Sequence, residues 1–196
     1  MTRAGAAAAS ASAALLGTAL LTGCTVGAGD LGVTPACDDK GHPAQAVVLM
    51  AQAVPTAAFL PCVRLMPVGW QLTEFEIRNG RSRFTLDSDR HGVAAVTVVL
   101  SESCEVRGAT EVPSDQVGLD RYERVTRVTN GYSGSRFYVA PGGCVTYDFN
   151  LQGSSRAVPV NEASLALGFV TRDAVRAKVL RDSDGELRLD PPTGEG

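Results

Sequence analysis

Alternating apolar and polar residues over positions 73–86 predict a β-hairpin. Asn79-Gly80 lies at the centre of this run, and this dipeptide favours a two-residue turn. One face of the hairpin is then mostly apolar and the other mostly charged, as a sheet with one buried face requires. From the turn outward, the predicted pairs are Arg78–Arg81, Ile77–Ser82, Glu76–Arg83, Phe75–Phe84, Glu74–Thr85 and Thr73–Leu86.

Strand-like runs recur later in the chain. The run at 93–100 is apolar on both faces and predicts a central strand, whereas 122–129 is β-branched with weaker alternation. Two further strands, at 135–140 and 144–151, flank Pro141-Gly142-Gly143 and predict a second hairpin.

Helices are predicted on both sides of these strands. Pro43 suits the first turn of a helix that continues to about Ala53, and its mostly apolar surface indicates burial. After it, Pro55, Pro61 and Pro67 predict a turn-rich connection through Cys62. Two capped helices follow near the C-terminal end: Asn161 caps 162 to about 169, and Thr171 caps 172 to about 181, with Val175 and Val179 on one face.

These patterns predict a single α+β domain over residues 37–190. Its antiparallel sheet has five or six strands, and helices come from the N-terminal part and the C-terminal end of the chain. A β-sandwich with peripheral helices is the alternative. The length suits one domain with a single core.

The first 24 residues have the features of an export signal. Arg3 precedes an uncharged, Ala-rich run from 4 to 21. The sequence Leu21-Thr22-Gly23-Cys24 then resembles the lipobox of bacterial prolipoproteins, and the resemblance covers only this leader and Cys24. It implies a signal peptide over 1–23, cleavage between Gly23 and Cys24, and acylation, with palmitate for example, of the Cys24 thiol.

The resemblance also implies a place for the protein. Acylated Cys24 anchors it to the lipid bilayer, on the extracytoplasmic face of the cell membrane. An uncleaved membrane helix over 4–21, or cleavage by an ordinary signal peptidase, are the alternatives. The excess of Arg over Lys, with abundant Ala, Gly and Val, suggests an actinobacterial source.

Small and Gly-rich residues follow the leader. Positions 24–36 are interpreted as a flexible tether between lipid and domain. The Pro-containing tail at 191–196 is expected to be disordered.

Four cysteines remain beyond Cys24. An even number in an exported domain predicts two disulfides, for which three pairings are possible. We favour Cys37–Cys62 and Cys104–Cys144, since each pair is consecutive and lies in a distinct segment. The chain has no Cys-x-x-Cys motif, so we expect no zinc site.

Candidate catalytic residues are few. His91 lies near Asp87 and Asp89, a grouping that could bind a cation or serve a hydrolase, although the same residues are common in turns. Residues 131–135 lack the last glycine of a nucleophile elbow. Residues 182–186 resemble part of a calcium loop, but the glycine comes two positions too early and the later glutamate is missing, which favours a solvated turn.

The arginines of the middle segment and the single tryptophan have simpler interpretations. At strand spacing, Arg121 and Arg127 point one way and Arg124 the other. With Arg136 they could bind an anion, but this alternation favours a solvent-exposed role. Trp70 is expected in the core or at the edge of the hairpin.

Charge and motifs narrow the function classes. The formal charge is −3, and loss of Arg3 with the leader moves it to −4, which argues against nucleic acid as a partner. We predict no cofactor, no metal and no catalytic constellation. The leading hypothesis is a non-catalytic binding or interaction module for an envelope protein or ligand. The alternatives are an envelope hydrolase using His91 with Asp87 or Asp89, and an accessory subunit of a membrane complex with an exposed apolar patch.

Overall fold

The computed structural model describes residues 34–38, 40–153 and 157–189, and it has an α+β fold. The predicted leader, most of the tether and the tail lie outside these residues. No helix in the described part of the chain is long and apolar enough to cross a membrane. In chain order the elements are α1 (Gln45–Ala53), β1 (Phe59–Val63), β2 (Trp70–Arg78), β3 (Arg81–Ser88), β4 (Gly92–Ser101), β5 (Thr110–Val112), β6 (Asp120–Arg127), β7 (Tyr132–Ala140), β8 (Gly143–Leu151), α2 (Ala157–Ala166), β9 (Leu167–Thr171) and α3 (Arg172–Asp182).

Seven strands form one antiparallel sheet in the order β2-β3-β4-β8-β7-β6-β5. The predicted α+β class is confirmed, but the predicted number of five or six strands is wrong. The additional strand, β5, has three residues, which is too short a run for alternation to reveal it.

The β2–β3 hairpin has the predicted register over its five inner pairs, from Arg78–Arg81 to Glu74–Thr85. The sixth predicted pair is wrong, because a bulge lies between Leu72 and Glu74 and Leu72 takes the place opposite Leu86. A bulge leaves one residue of its strand unpaired. That residue is Thr73, whose hydroxyl donates to the Asp87 carboxylate at 3.1 Å.

A second, two-stranded sheet joins β1 to β9 and corrects two predictions. The segment around Pro61 is a strand and not a turn-rich connection, and Leu167–Thr171 is a strand and not the end of a helix. Pro61 pairs with Phe169. Proline is tolerated there because each strand of a two-stranded sheet is an edge.

Helix α2 therefore differs from its prediction. It spans Ala157–Ala166, so Asn161 lies within the helix and does not cap it. Pro159 is in the first turn, where the missing N–H has no intrahelical partner to lose. The helix ends where β9 begins. The pairing of Leu167–Thr171 with β1 outweighs the local helix preference of these residues.

The core lies between the large sheet and a layer built from both ends of the chain. Helix α1 contacts β2 and β3, the strand β1 contacts β4 and β8, and α1 also contacts α3. Tyr138 and Tyr147 on the sheet meet Phe169 of β9, with ring centroids 5.0 and 6.1 Å from it. Helix α1 is largely buried, as its apolar surface predicts.

Disulfides join Cys37 to Cys62 and Cys104 to Cys144, the pairs that their order favours, with Cα atoms 5.7 and 5.6 Å apart. The first fastens the entering chain to β1. Backbone bonds do the same: Val63 donates to the Pro35 carbonyl at 2.8 Å, and Cys37 donates to the Val63 carbonyl at 3.0 Å. Residues 35 and 36 of the predicted tether are thus part of the fold.

The second disulfide fastens a long connection on the other face of the sheet. Residues 102–109 lead from β4, the third strand in sheet order, to β5, the last. Arg124 of β6 donates to the Arg107 carbonyl at 3.1 Å and lies over the Phe137 ring at 5.1 Å. Phe137 is consequently buried although it points away from the main core.

Thr171 begins α3 as predicted, and its hydroxyl accepts the Ala174 N–H at 3.2 Å. We expect Thr171→Ala to lower the free energy of unfolding by about 1 kcal/mol, because that N–H loses its partner. Urea denaturation measures the change. Thr171→Ser keeps the hydroxyl and should restore most of the loss; equal destabilisation by both variants would contradict the capping role.

Candidate functional site: a polar cavity beside α2

A cavity of about 290 Å³ opens between helix α2 and the strands β6 and β7. Its wall combines two charged side chains, polar groups and a few apolar ones. The lining residues are Glu123, Tyr132, Arg136, Ala157, Val160, Asn161 and Ser164. We refer to it below as the polar cavity.

Strand register brings the charged residues of the polar cavity together. Glu123 pairs with Arg136, and Arg136 pairs with Tyr147. Cross-strand partners lie on the same face of a sheet. Tyr147 is part of the core, so both charged residues point to the covered face, beneath α2. Arg136 is only 8% exposed there.

Four charged residues and two hydroxyl groups form one hydrogen-bonded network. Glu123 Oε1 accepts from Arg136 Nε at 2.8 Å and from Arg121 Nε at 3.2 Å. Arg121 Nη1 also donates to Asp115 Oδ1 at 3.3 Å, and the Tyr138 hydroxyl donates to that oxygen at 2.9 Å. The network contains two acids and two arginines, so its formal charge is zero.

Helix α2 completes the network from above. Arg136 Nη1 donates to the Ser164 Oγ at 2.8 Å, and Ser164 in turn donates to the Val160 carbonyl at 2.7 Å. The guanidinium also lies 5.7 Å from the centre of the Phe149 ring. Arg136 is thereby held on three sides by groups from β6, β8 and α2. Within the described residues no hydrogen bond uses Glu123 Oε2, although Oε1 has several partners.

The network sets the ionisation of its members. Burial by itself disfavours the Glu123 carboxylate, but the hydrogen bond from Arg121 and the charges of Arg136 and Arg121 outweigh it and lower the Glu123 pKa. Burial likewise disfavours the Asp115 carboxylate, but the hydrogen bond from the Tyr138 hydroxyl and the charge of Arg121 outweigh this effect and lower the Asp115 pKa. Burial raises the pKa of Tyr138 to about 12 despite the charge of Arg136, so this phenol is neutral at physiological pH.

The arginines thus lie differently from their prediction. Arg121 and Arg136 are on the covered face and bound to Glu123, so they do not serve as a solvent-exposed surface. A bulge between Val125 and Arg127 reverses the alternation of β6. Arg127 donates to Asn150, a residue of the opposite face, so it does not point the same way as Arg121. Sequence spacing could not reveal this, because a bulge has no fixed signature in one strand.

The residues of the hydrolase hypothesis are not joined to one another. Asp87 accepts from the Ala94 N–H at 2.8 Å and from Thr73, so its carboxylate supports the turn between β3 and β4. His91 has its Nδ1 3.4 Å from the Gln152 carbonyl, and its ring lies 6.2 Å from Trp70. Across the described ranges, no hydrogen bond or ion pair links His91 to Asp87 or Asp89.

The remaining candidates have structural places. Trp70 begins β2 and is buried in the core as expected. Residues 131–135 lead into β7, so Ser133 is on a strand and not at a strand-to-helix turn. Residues 183–185 form a turn after α3. In the described part of the chain, no group of three or more His, Cys, Asp and Glu side chains could hold a metal ion.

Comparisons with known proteins provide no family for this chain. No protein-family description matches the sequence, and no curated protein matches it. Among solved structures it is similar to a protein from Bacteroides thetaiotaomicron, at 14% identity and a TM-score of 0.32. That match covers 59% of this chain and 46% of the other, less than half of its length. Similarity at this level supports no argument on fold or function.

The network predicts a pH-dependent effect of Glu123→Gln. We expect this variant to lower the free energy of unfolding at neutral pH by about 1 kcal/mol, because a partly exposed carboxylate loses its charge beside two arginines. The folded-state pKa lies below the ordinary value of 4.5, so the stabilisation is present above that pH and disappears as pH falls through the folded pKa. Urea denaturation over this range measures it.

Glu111→Gln is the matched control, since Glu111 is exposed on β5 and forms no ion pair with any described residue. Its effect should stay within about 0.5 kcal/mol at every pH. A difference between Glu123→Gln and the wild type that does not shrink in acid would contradict the role of the charge.

Proposed function

We propose that the protein is a membrane-anchored, extracytoplasmic module that binds a small polar ligand in the polar cavity without converting it. The observation that carries the proposal is the Glu123–Arg136 pair, in which Arg136 is buried and Glu123 is half-buried, yet both line an open cavity. Apolar residues would often stabilise such a site as well as an ion pair does. A charged pair retained inside a cavity is therefore a candidate for ligand recognition.

The chemistry of the wall supports a small ligand without net charge. Arg136 and Asn161 can donate, Glu123 and Ser164 can accept, and Tyr132 supplies a ring. The network beneath them is neutral, so a strongly charged ligand gains no net attraction from it. A volume near 290 Å³ is at the lower limit of ligand pockets, the size of a monosaccharide or an amino-acid zwitterion.

Binding without turnover agrees with the hydrogen bonds of the Ser164 hydroxyl, which lines the polar cavity. Ser164 donates its proton to a backbone carbonyl and accepts from Arg136. A serine nucleophile needs a base as its proton acceptor, and an amide carbonyl is not one. The hydrolase alternative would need Asp87 to act together with His91, but the Asp87 carboxylate accepts from the Ala94 N–H.

The proposed location of the protein is supported by the leader sequence and by the disulfides. Two disulfides support an oxidising, extracytoplasmic location. The lipobox-like Leu21-Thr22-Gly23-Cys24 supports cleavage after Gly23 and acylation of Cys24. An accessory role in a membrane complex remains the second candidate, favoured by an exposed apolar surface beside α2.

Blocking the polar cavity tests ligand binding. Asn161 is exposed at the cavity wall, so Asn161→Trp should fill the opening and leave the fold intact. The probes are a panel of monosaccharides and amino acids measured by isothermal titration calorimetry. We expect one class to bind the wild type and to lose at least about tenfold in affinity to the variant, or about 1.4 kcal/mol.

Val158→Trp is the matched control, since Val158 is exposed on the same helix but does not line the polar cavity. It should bind as the wild type does. Saturable binding that Asn161→Trp leaves unchanged would place the ligand elsewhere, and no binding by any probe would count against this ligand class.

Intact-mass analysis of the membrane fraction tests the anchor. We expect the wild type to begin at Cys24 and to carry the added mass of acyl chains, because the lipobox resemblance places both events there. Cys24→Ala should keep its leader or be released without acylation. An uncleaved or unmodified wild-type chain would contradict the anchor.

A further inference from the structure

A cluster of large apolar side chains is exposed on the connection between β1 and β2 and on the C-terminal end of α2. Leu65 is 73% exposed, Val68 is 91% exposed and Leu165 is 69% exposed. Together with Pro67 and Ala166 they border a groove of about 330 Å³. Scattered apolar residues are normal on a surface, but a contiguous group around one groove indicates a contact with something apolar. We call Leu65, Val68 and Leu165 the apolar rim.

Backbone bonds and a side chain fix the apolar rim. Arg64 and Leu65 donate their N–H groups to the Ala166 carbonyl at 2.7 and 3.4 Å. The Arg64 guanidinium donates to the Leu167 carbonyl at 3.0 Å. The loop carrying Leu65 is therefore bound to the end of α2, so its exposure does not result from a freely moving segment.

The first described residues run parallel to the end of β1 that leads to the apolar rim. Val63 is bonded to Pro35 and Cys37, and Cys62 is linked to Cys37. Leu65 follows Val63 by two residues, so about 7 Å of chain separates them at most. Both the disulfide and the hydrogen bonds thus hold residues 35–37 beside the end of β1, two residues before the apolar rim begins.

The length of the preceding segment limits how far the domain can stand from a membrane. Ten residues, 24–33, precede the first described residue, Thr34. They span at most about 36 Å, because an extended chain covers no more than about 3.6 Å per residue. This limit is below the diameter of a domain of this size, about 40 Å. An acylated Cys24 therefore keeps residues 35–37, and the apolar rim that follows β1, within about one domain diameter of the bilayer.

We propose that the apolar rim inserts into the lipid bilayer interface and forms a second, non-covalent attachment beside the acylated cysteine. This inference rests on the proposed anchoring at Cys24. The occupant is the outer part of the bilayer, which accepts apolar side chains among its headgroups and upper acyl chains. Arg90 lines the groove, but it is paired with Glu162 at 3.1 Å, so apolar contact and not charge drives the attachment.

Insertion also fixes the orientation of the domain. Helix α2 contributes Leu165 to the apolar rim, and it contributes Asn161 and Ser164 to the polar cavity. Contact at Leu165 therefore holds the polar cavity at a constant height above the membrane. A ligand that diffuses along the envelope surface would meet the opening in one orientation.

Tryptophan probes with brominated lipids test this contact. Val68→Trp and Val117→Trp are prepared in the acylated protein, since Val117 is 97% exposed in a loop outside the apolar rim and serves as the matched control. Both are placed in phosphatidylethanolamine–phosphatidylglycerol vesicles with bromine on the upper acyl chains. Bromine quenches only an indole in contact with the acyl region. The wild type reports the background from buried Trp70.

We expect several-fold stronger quenching at position 68 than at position 117. Adding Leu65→Asp to the position 68 probe should remove most of the difference, because a buried carboxylate is unfavourable in the apolar region. Equal quenching at both positions would overturn the proposal. Self-association that Leu65→Asp abolishes, without lipid quenching, would assign the groove to a second copy of the chain and would overturn it as well.

Intact mass of the same samples separates this proposal from the anchoring. If Cys24 is acylated but position 68 is not quenched, the anchor stands and the bilayer contact is wrong. If Cys24 is unmodified, the proposed anchoring is wrong. Selective quenching at position 68, when the unmodified protein is mixed with the vesicles, would then still establish contact between the apolar rim and lipid. No quenching of the unmodified protein would overturn both proposals.

Discussion

The antiparallel pairing of β1 with β9 is the contact on which the rest of the structure depends. The large sheet needs a cover for its apolar face, because strands alone leave one surface of the core in water. That cover comes from the two ends of the chain, and the β1–β9 ladder joins them by backbone hydrogen bonds. Phe169 of β9 then packs against the rings of Tyr138 and Tyr147.

The same pairing determines where the polar cavity is. Helix α2 runs directly into β9, so the register of Leu167 with Val63 fixes the end of the helix. This places the Ser164 Oγ 2.8 Å from the Arg136 Nη1, on the strand next to β8 in the sheet. A charged side chain this deeply buried is costly unless its donors are matched. Glu123, Ser164 and the Phe149 ring match them, so the network limits which positions α2 can take.

The pairing also relates the two surfaces to which we assign a function. The entering chain, the first disulfide and the apolar rim are all at the end of β1, whereas the polar cavity is on the other side of α2. One helix thus separates a surface proposed for lipid from a site proposed for a polar ligand. Glu162 strengthens this arrangement, because it accepts from Trp70 in the core and from Arg90 at the groove.

The sequence by itself determined the features that depend on near neighbours. The β2–β3 turn, the burial of α1 and the cap at Thr171 follow from local residues, and the two disulfides agree with cysteine order. Tertiary structure decided everything that requires distant partners. The strand around Pro61 forms by pairing with β9. Arg136 is buried and Arg121 is half-buried, because Glu123 lies across from Arg136 and beside Arg121. The bulge that turns Arg127 away from Arg121 likewise arises from the mismatch of two strands. In each case one segment lacks the information, because the free energy that selects its conformation comes from contacts with another segment far along the chain.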